Sequence, residues 1–255
     1  MGMDVYAGTF TRYYARNWKT ATQKFCEENG IAYQQFGVHA DIAPEDRASV
    51  EEIEESVNAW IDHVVGGLKG LGIEKAQVWR DDNDKPYYTD KPDWGAFGAL
   101  LIYAAAKLLN KEAPEQFDKG MNSFDHPLLK EAAEGAASET SLYRGVCYWL
   151  PIDDAFMFKY VLPNGAEAEM GTVRGLKAEL CRINEMCWNA DEETVIGWNI
   201  SEGYPDDGRI VDGKPQIGEV HKVYNTQSLA KFAFSLLWQA VRFSEKENVP
   251  IILDY

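Results

Sequence analysis

Apolar residues recur at intervals of three and four along several stretches of the chain, which is the period of a helix with one buried face. The clearest helix is predicted to begin near Pro44, since proline followed by acidic residues suits a first turn. Its apolar stripe consists of Val50, Ile53, Val57, Trp60 or Ile61, Val64 and Leu68. The acidic residues between 41 and 62 are expected to form its solvated side.

Further helices follow from the same pattern and from residues suited to cap a helix. Thr172 is placed to open one helix, and Asn225 or Thr226 to open the last. The predicted helices, besides the one from Pro44, span residues 13–28, 94–110, 126–137 and 172–187 and the stretch that follows residue 225.

Short runs rich in β-branched and aromatic residues predict strands between these helices. The predicted strands are residues 4–9, 76–80, 142–150, 155–162, 166–170, 195–200 and 249–253. Pro163-Asn164-Gly165 is a strong turn signal between two of them and predicts a hairpin. Pro250 has no backbone N–H, which predicts that the last strand lies at a sheet edge or begins at that residue.

The order of these elements indicates the fold class. Helices concentrate in the first half and strands in the middle, without regular βαβ spacing. We therefore predict an α+β fold in which a mixed or mainly antiparallel sheet packs against several helices in two layers. Because no linker-like stretch interrupts the sequence, residues 1–255 are predicted to form one domain. A division into two subdomains near Ser138 remains as the alternative.

The net charge of the chain excludes some classes of binding partner and favours others. The chain has 41 acidic and 25 basic residues, which give a formal net charge of −16. A field of this sign repels nucleic-acid phosphates and anionic lipid surfaces, and no basic stripe offsets it. Neither nucleic acid nor a membrane is therefore expected as a partner, whereas a basic protein would be attracted.

Cysteine usage and the absence of a long apolar run indicate a cytoplasmic protein. The four cysteines are scattered and form no CxxC pair, which favours reduced thiols over a disulfide framework. Residues 1–11 lack the features of a signal peptide, and the longest apolar run, about 94–106, is too short to span a bilayer.

Recognised catalytic patterns are missing from the sequence. No serine lies in a GxSxG elbow, no phosphate-binding loop is present, and no histidine lies in an HExxH pattern. The acidic stretch 81–84 has some spacing of a calcium loop but lacks the central glycine and the twelfth-position glutamate. No cofactor and no metal are therefore predicted, and a non-enzymatic role is favoured.

The segment 79–94 is the candidate site, because it combines aromatic rings with carboxylates. Such a combination suits cations, sugars or a basic loop of another protein. The candidate binding residues are Trp79, Asp81, Asp82, Asp84, Tyr87, Tyr88 and Trp94. The alternative is a surface loop that its aromatic residues pin to the core.

Two functions follow from these observations. The first is that of an acidic, non-catalytic binding protein, in one form an immunity-type antagonist of a basic protein. The second is that of a hydrolase that uses carboxylates or a histidine from separate segments.

Overall fold

The computed structural model describes residues 2–33, 48–118, 120–135, 137–204, 209–211, 214–216 and 223–255. Its helices are α1 Phe10–Tyr14, α2 Ala21–Glu28, α3 Val50–Gly70, α4 Asp93–Leu108, α5 Pro127–Glu134, α6 Val173–Cys187, α7 Glu192–Ser201 and α8 Thr226–Glu247. Its strands are β1 Asp4–Ala7, β2 Tyr88–Asp90, β3 Gln116–Asp118, β4 Tyr148–Leu150, β5 Met157–Val161, β6 Glu167–Thr172, β7 Arg209–Val211, β8 Lys214–Gln216, β9 Val223–Asn225 and β10 Ile251–Asp254. Within these ranges, no helix combines the length and apolar composition that crossing a bilayer requires.

A six-stranded sheet with the order β2-β1-β10-β4-β6-β5 forms the centre of the fold. Its neighbouring strands are antiparallel except for β4 and β6, which run parallel. The prediction of an α+β fold with a mainly antiparallel sheet packed against helices is therefore confirmed. The predicted hairpin at residues 163–165 is also present and joins β5 to β6.

Both faces of the central strands are buried. Alternate side chains of a strand point to opposite faces, so Val5 and Ile251 lie in one apolar cluster and Tyr6 and Ile252 in another. Helices α4 to α8 supply the first cluster, while α1 and α3 supply the second. To the two layers predicted from the sequence, the structure adds a third, smaller layer of helices.

Two predicted elements differ in the structure because of side-chain caps. The helix predicted over 13–28 is divided into α1 and α2, since Thr20 forms a capping box with Gln23 and starts a new helix there. The strand predicted over 195–200 is part of helix α7. Asp191 caps that helix, and Val195 and Trp198, three residues apart, are its buried residues.

The structure also bears on four further predictions. The strand predicted over 142–150 is reduced to β4, and the stretch 76–80 forms no strand. Strand β10 begins after Pro250 and lies between β1 and β4, so of the two predicted options the start, and not the edge, is correct. Helix α3 begins at Val50 behind a capping box of Ser49 and Glu52, and the predicted start at Pro44 lies outside the described residues.

The turn before β4 depends on one carboxylate of α6. Glu179 Oε1 accepts the Ser141 backbone N–H at 2.7 Å, and Glu179 Oε2 accepts the Ser141 hydroxyl at 2.8 Å and the Leu142 N–H at 3.2 Å. The Ser141 Oγ in turn accepts the indole N–H of the buried Trp149 at 2.9 Å. This network explains why the chain turns at 141–142 instead of continuing as a strand.

We expect Glu179→Gln to lower the free energy of unfolding by about 1–3 kcal/mol, because an amide nitrogen would face donors that now share a carboxylate. Urea unfolding measures the change. Glu185→Gln, at an exposed position of the same helix, is the matched control and should change little. Equal effects of the two substitutions would contradict this role of Glu179.

Candidate functional site

The structure separates the seven predicted site residues instead of gathering them. Trp79 and Tyr87 lie in the apolar cluster on the α1 and α3 side of the sheet. Tyr88 and Trp94 lie on the opposite side, where Tyr88 packs 6.2 Å from the Phe243 ring. The division arises because Tyr87 directly precedes Tyr88, the first residue of β2. Successive residues of an extended chain direct their side chains to opposite faces of the sheet.

Asp81 links three parts of the small helical layer. Its side chain is buried, and Oδ2 and Oδ1 accept the Phe10 and Thr11 backbone N–H groups at 2.9 and 2.7 Å. The Asn58 side chain on α3 bonds both the backbone N–H and the backbone C=O of Asp81. Burial raises the pKa of Asp81, and the two backbone donors oppose that shift. Asp81 therefore connects two helices: its carboxylate bonds the first residues of α1, and its backbone bonds Asn58 of α3.

Asp82 and Asp84 belong to a polar turn. Asp82 Oδ1 accepts the backbone N–H groups of Asp84 and Lys85, both at 2.9 Å. This is the local bonding by which aspartate stabilises turns. In the part of the chain that the structure describes, no group of three His, Cys, Asp or Glu side chains is arranged to hold a metal ion.

Tyr87 contacts cations of its own chain. The Lys24 Nζ lies 4.4 Å and the Arg12 Cζ 5.2 Å from the centre of its ring. The Tyr87 hydroxyl accepts the Lys19 backbone N–H at 3.0 Å. These contacts are the cation–π attraction predicted for the segment, but they act within the protein and hold α1 and α2 against the sheet.

An acidic groove lies between α3 and the stretch 78–80. Its volume is about 560 Å³. The lining residues are Glu51, Glu54, Glu55, Asn58, Asp62, Val78, Trp79 and Arg80. Of the seven predicted site residues, only Trp79 lines this groove.

The carboxylates of the groove follow one face of α3. Glu51, Glu55 and Asp62 are separated by four and seven residues, so they lie on one side of the helix. Neither these three nor Glu54 forms an ion pair with any described residue. Arg80 is the basic residue among those that line the groove. Four carboxylates and one guanidinium therefore line the groove and give it a net negative charge.

Trp79 gives the groove a buried polar group. Its side chain is only 2% exposed, and its ring packs edge-on against Trp60 at 6.5 Å. The indole Nε1 has no hydrogen-bond acceptor among the described residues. A buried donor without an acceptor costs about 1–3 kcal/mol. A ligand that offered an acceptor there would recover part of that cost.

The sequence contained one sign of this groove, the spacing of the acidic residues of α3, but that spacing alone did not predict a groove. The acidic residues of α3 were expected to be its solvated side, and the structure does place them away from the sheet. Their spacing along one helix face was visible in the sequence. That the stretch 78–80 lies beside them, and so forms a groove, depends on the tertiary bond between Asn58 and Asp81.

A second cluster of carboxylates lies where β1 and β10 pair. Asp4 and Asp254 are directly opposite each other in these strands. Asp254 Oδ1 accepts the Tyr13 hydroxyl at 2.6 Å, while Asp4 Oδ1 is buried without a partner among the described residues. Burial raises the pKa of Asp4 to about 6; nearby Asp254 and Asp90 add to this shift and Lys91 opposes it.

Comparisons with other proteins give no family for this chain. No protein-family model matches it, and neither the curated proteins nor the solved structures provide a match.

Asp4→Asn is expected to stabilise the protein near neutral pH, by on the order of 1 kcal/mol once solvent screening is considered. The pKa of Asp4 is higher in the folded protein than in the unfolded chain, so ionised Asp4 opposes folding. The gain should be full above about pH 6, decrease as the pH falls, and vanish below about pH 4.

Urea unfolding over that pH range measures the effect. Asp84→Asn, at an exposed position, serves as the control and should show no comparable pH dependence. A variant Asp4→Asn that is less stable than the wild type near pH 7 would contradict the expectation.

Proposed function

We propose that this protein is a non-catalytic binding protein whose groove along α3 accepts a basic segment of a protein partner. The observation that carries the proposal is the set of carboxylates, Glu51, Glu54, Glu55 and Asp62, which line one groove without an ion pair among the described residues. Like charges four residues apart on a helix repel each other, so a bound cation relieves that repulsion.

Other acidic residues of the described chain differ from those of the groove. Several are paired with a lysine of the same chain, as in the pairs Lys19–Glu27, Lys111–Glu131, Lys177–Glu245 and Lys231–Glu202. The groove differs from these pairs in that its four carboxylates have no lysine partner among the described residues. This contrast supports specific binding over a merely solvated acidic face.

The net charge of the chain supports the same function through kinetics. A formal charge of −16 attracts a basic protein over long range, and complementary fields raise association rates at low salt. The specific form that we favour is an antagonist that covers the cationic surface of a basic protein, as an immunity-type protein does. Of the segment 79–94, Trp79 contributes to this binding, because it lines the groove.

Neutralising the groove should abolish most of the binding. We expect Glu51→Gln, Glu54→Gln and Glu55→Gln together to weaken binding of a synthetic peptide of alternating arginine and threonine by about tenfold or more, as the sum of three exposed charge interactions. Isothermal titration at low salt measures the affinity.

The control triple is Glu112→Gln, Glu134→Gln and Glu193→Gln, at exposed positions away from the groove. It changes the net charge by the same amount, so any loss that it shares with the groove triple reflects general attraction. Equal loss of affinity in the two triples would overturn the proposal that the groove is the binding site.

Hydrolysis is the second candidate function, and the Asp4 cluster is the observation that favours it. Asp4 and Asp254 come from distant parts of the sequence and meet across two strands, and a carboxyl with a pKa of about 6 suits a general acid or base. A panel of chromogenic esters, glycosides and phosphoesters tests it. This function requires an activity that titrates near pH 6 and is lost in Asp4→Asn.

A further inference from the structure

The stretch Gln77, Val78 and Trp79 beside the groove has unpaired backbone groups. No hydrogen bond to the N–H or C=O groups of these residues is found in the described part of the chain. Gln77 is exposed, and the Val78 side chain is 57% exposed. Unpaired backbone groups at exposed residues such as Gln77 and Val78 can pair with an added strand.

The amino-acid sequence of this stretch is that of a strand. Ala76-Gln77-Val78-Trp79-Arg80 contains β-branched and aromatic residues, and on this basis a strand was predicted there. In the part of the chain that the structure describes, it has no strand partner. The stretch thus combines a β-forming composition with backbone groups that pair with no described strand.

Both ends of the stretch are fixed in place. The Ala76 N–H donates to the Ile73 C=O at 3.1 Å, and Asn58 holds the backbone of Asp81 on the other side. The buried side chains of Ala76 and Trp79 anchor the stretch to the core. An incoming strand would therefore meet a backbone that is already positioned, which lowers the entropic cost of binding.

Trp79 provides an independent sign of a ligand at this place. Its side chain lines the groove and is almost fully buried, yet its indole N–H has no acceptor among the described residues. A peptide in the groove offers a row of carbonyl oxygens, which are the acceptors that such a donor requires.

We propose that the groove binds an extended peptide segment that pairs with the backbone of residues 77–79 and directs alternate arginine or lysine side chains to α3. This inference rests on the proposed function and specifies its mode. Side chains on one face of a strand repeat about every 6.6–6.8 Å. Glu51 and Glu55 are four residues apart on α3, which corresponds to a rise of about 6 Å along the helix axis. The spacing of the two carboxylates is therefore close to that of the alternate side chains of the peptide.

An extended occupant explains more of the groove than a helical one. A basic helix could satisfy the carboxylates of α3, but its backbone groups are already bonded within the helix. It would leave the groups of residues 77–79 unpaired, and the Trp79 indole would still lack a carbonyl acceptor. An added strand can pair with the backbone groups on the side of the stretch that faces it, and its carbonyl oxygens are possible acceptors for the indole.

Two peptides of equal charge test the inference on the unaltered protein. One is a peptide of alternating arginine and threonine, and the other is the same peptide with every backbone nitrogen methylated. The methylated peptide cannot donate to a strand, so we expect it to bind at least about tenfold more weakly in isothermal titration. The unmethylated peptide should also shift the Trp79 indole N–H resonance in an NMR titration; Trp79→Phe identifies that resonance.

A pair of variants at one position provides the second arm. Val78→Pro removes a backbone donor that has no partner in the described chain, whereas Val78→Thr keeps it. We expect Val78→Pro to weaken binding of the unmethylated peptide about fivefold to tenfold more than Val78→Thr does. Circular dichroism and thermal unfolding verify that both variants fold.

The outcomes separate the two levels of the proposal. If the two peptides bind equally, strand pairing is wrong, while binding of a basic segment stands. If neither peptide binds the unaltered protein at low salt, both the mode and the proposed function are wrong. An indole resonance that stays unshifted while the unmethylated peptide binds would overturn the assigned place of binding.

Discussion

Burial of both faces of β1, β10 and β4 is the constraint on which the rest of the structure depends. Alternate residues of these strands, such as Trp149 and Leu150, enter two different apolar clusters. A sheet of this kind needs helices on each side, because exposure of either face would leave large apolar side chains in water. The long helices α4 and α8 cover one face, and this requirement brings α3 to the other.

The position of α3 then determines where acidic side chains can gather. Its apolar stripe includes Val57, Ile61 and Val64, which pack with Tyr6 of the sheet. The remaining faces are acidic and lie toward solvent, as the amphipathic period requires. Asn58, on the border between these faces, holds the backbone of Asp81 and so brings the stretch 78–80 alongside the helix. The groove therefore results from the hydrogen bonds between Asn58 of α3 and the backbone of Asp81.

Several polar groups on this side of the sheet are kept at a cost to stability. Among the described residues, Trp79 Nε1 and Asp4 Oδ1 are buried without partners, and the groove carboxylates repel one another. Groups of this kind accumulate where a protein binds or reacts, because sites are selected for interaction and not for maximal stability. Among the described residues, buried groups without a partner also occur in the larger layer, at Trp188 Nε1 and Thr226 Oγ1, so the acidic groove of α3 is the feature that distinguishes the smaller layer.

The sequence by itself determined the elements whose signals are local. The helical period of α3, α4, α6 and α8, the cap at Thr172 and the hairpin turn at Asn164-Gly165 all act over a few residues, so they could be identified without the fold. The α+β class followed from the order of these elements.

Only the tertiary structure decided which strand-like runs found partners. Residues 76–80 have a β-forming composition but lack a neighbouring strand among the described residues, whereas the helix over 195–200 begins at the local cap Asp191. The same limit applies to the site. The predicted segment 79–94 contained Trp79, but the sheet sends Tyr88 and Trp94 to the other face, and the carboxylates of the groove come from α3. Strand pairing and the meeting of distant side chains depend on contacts that no local pattern records.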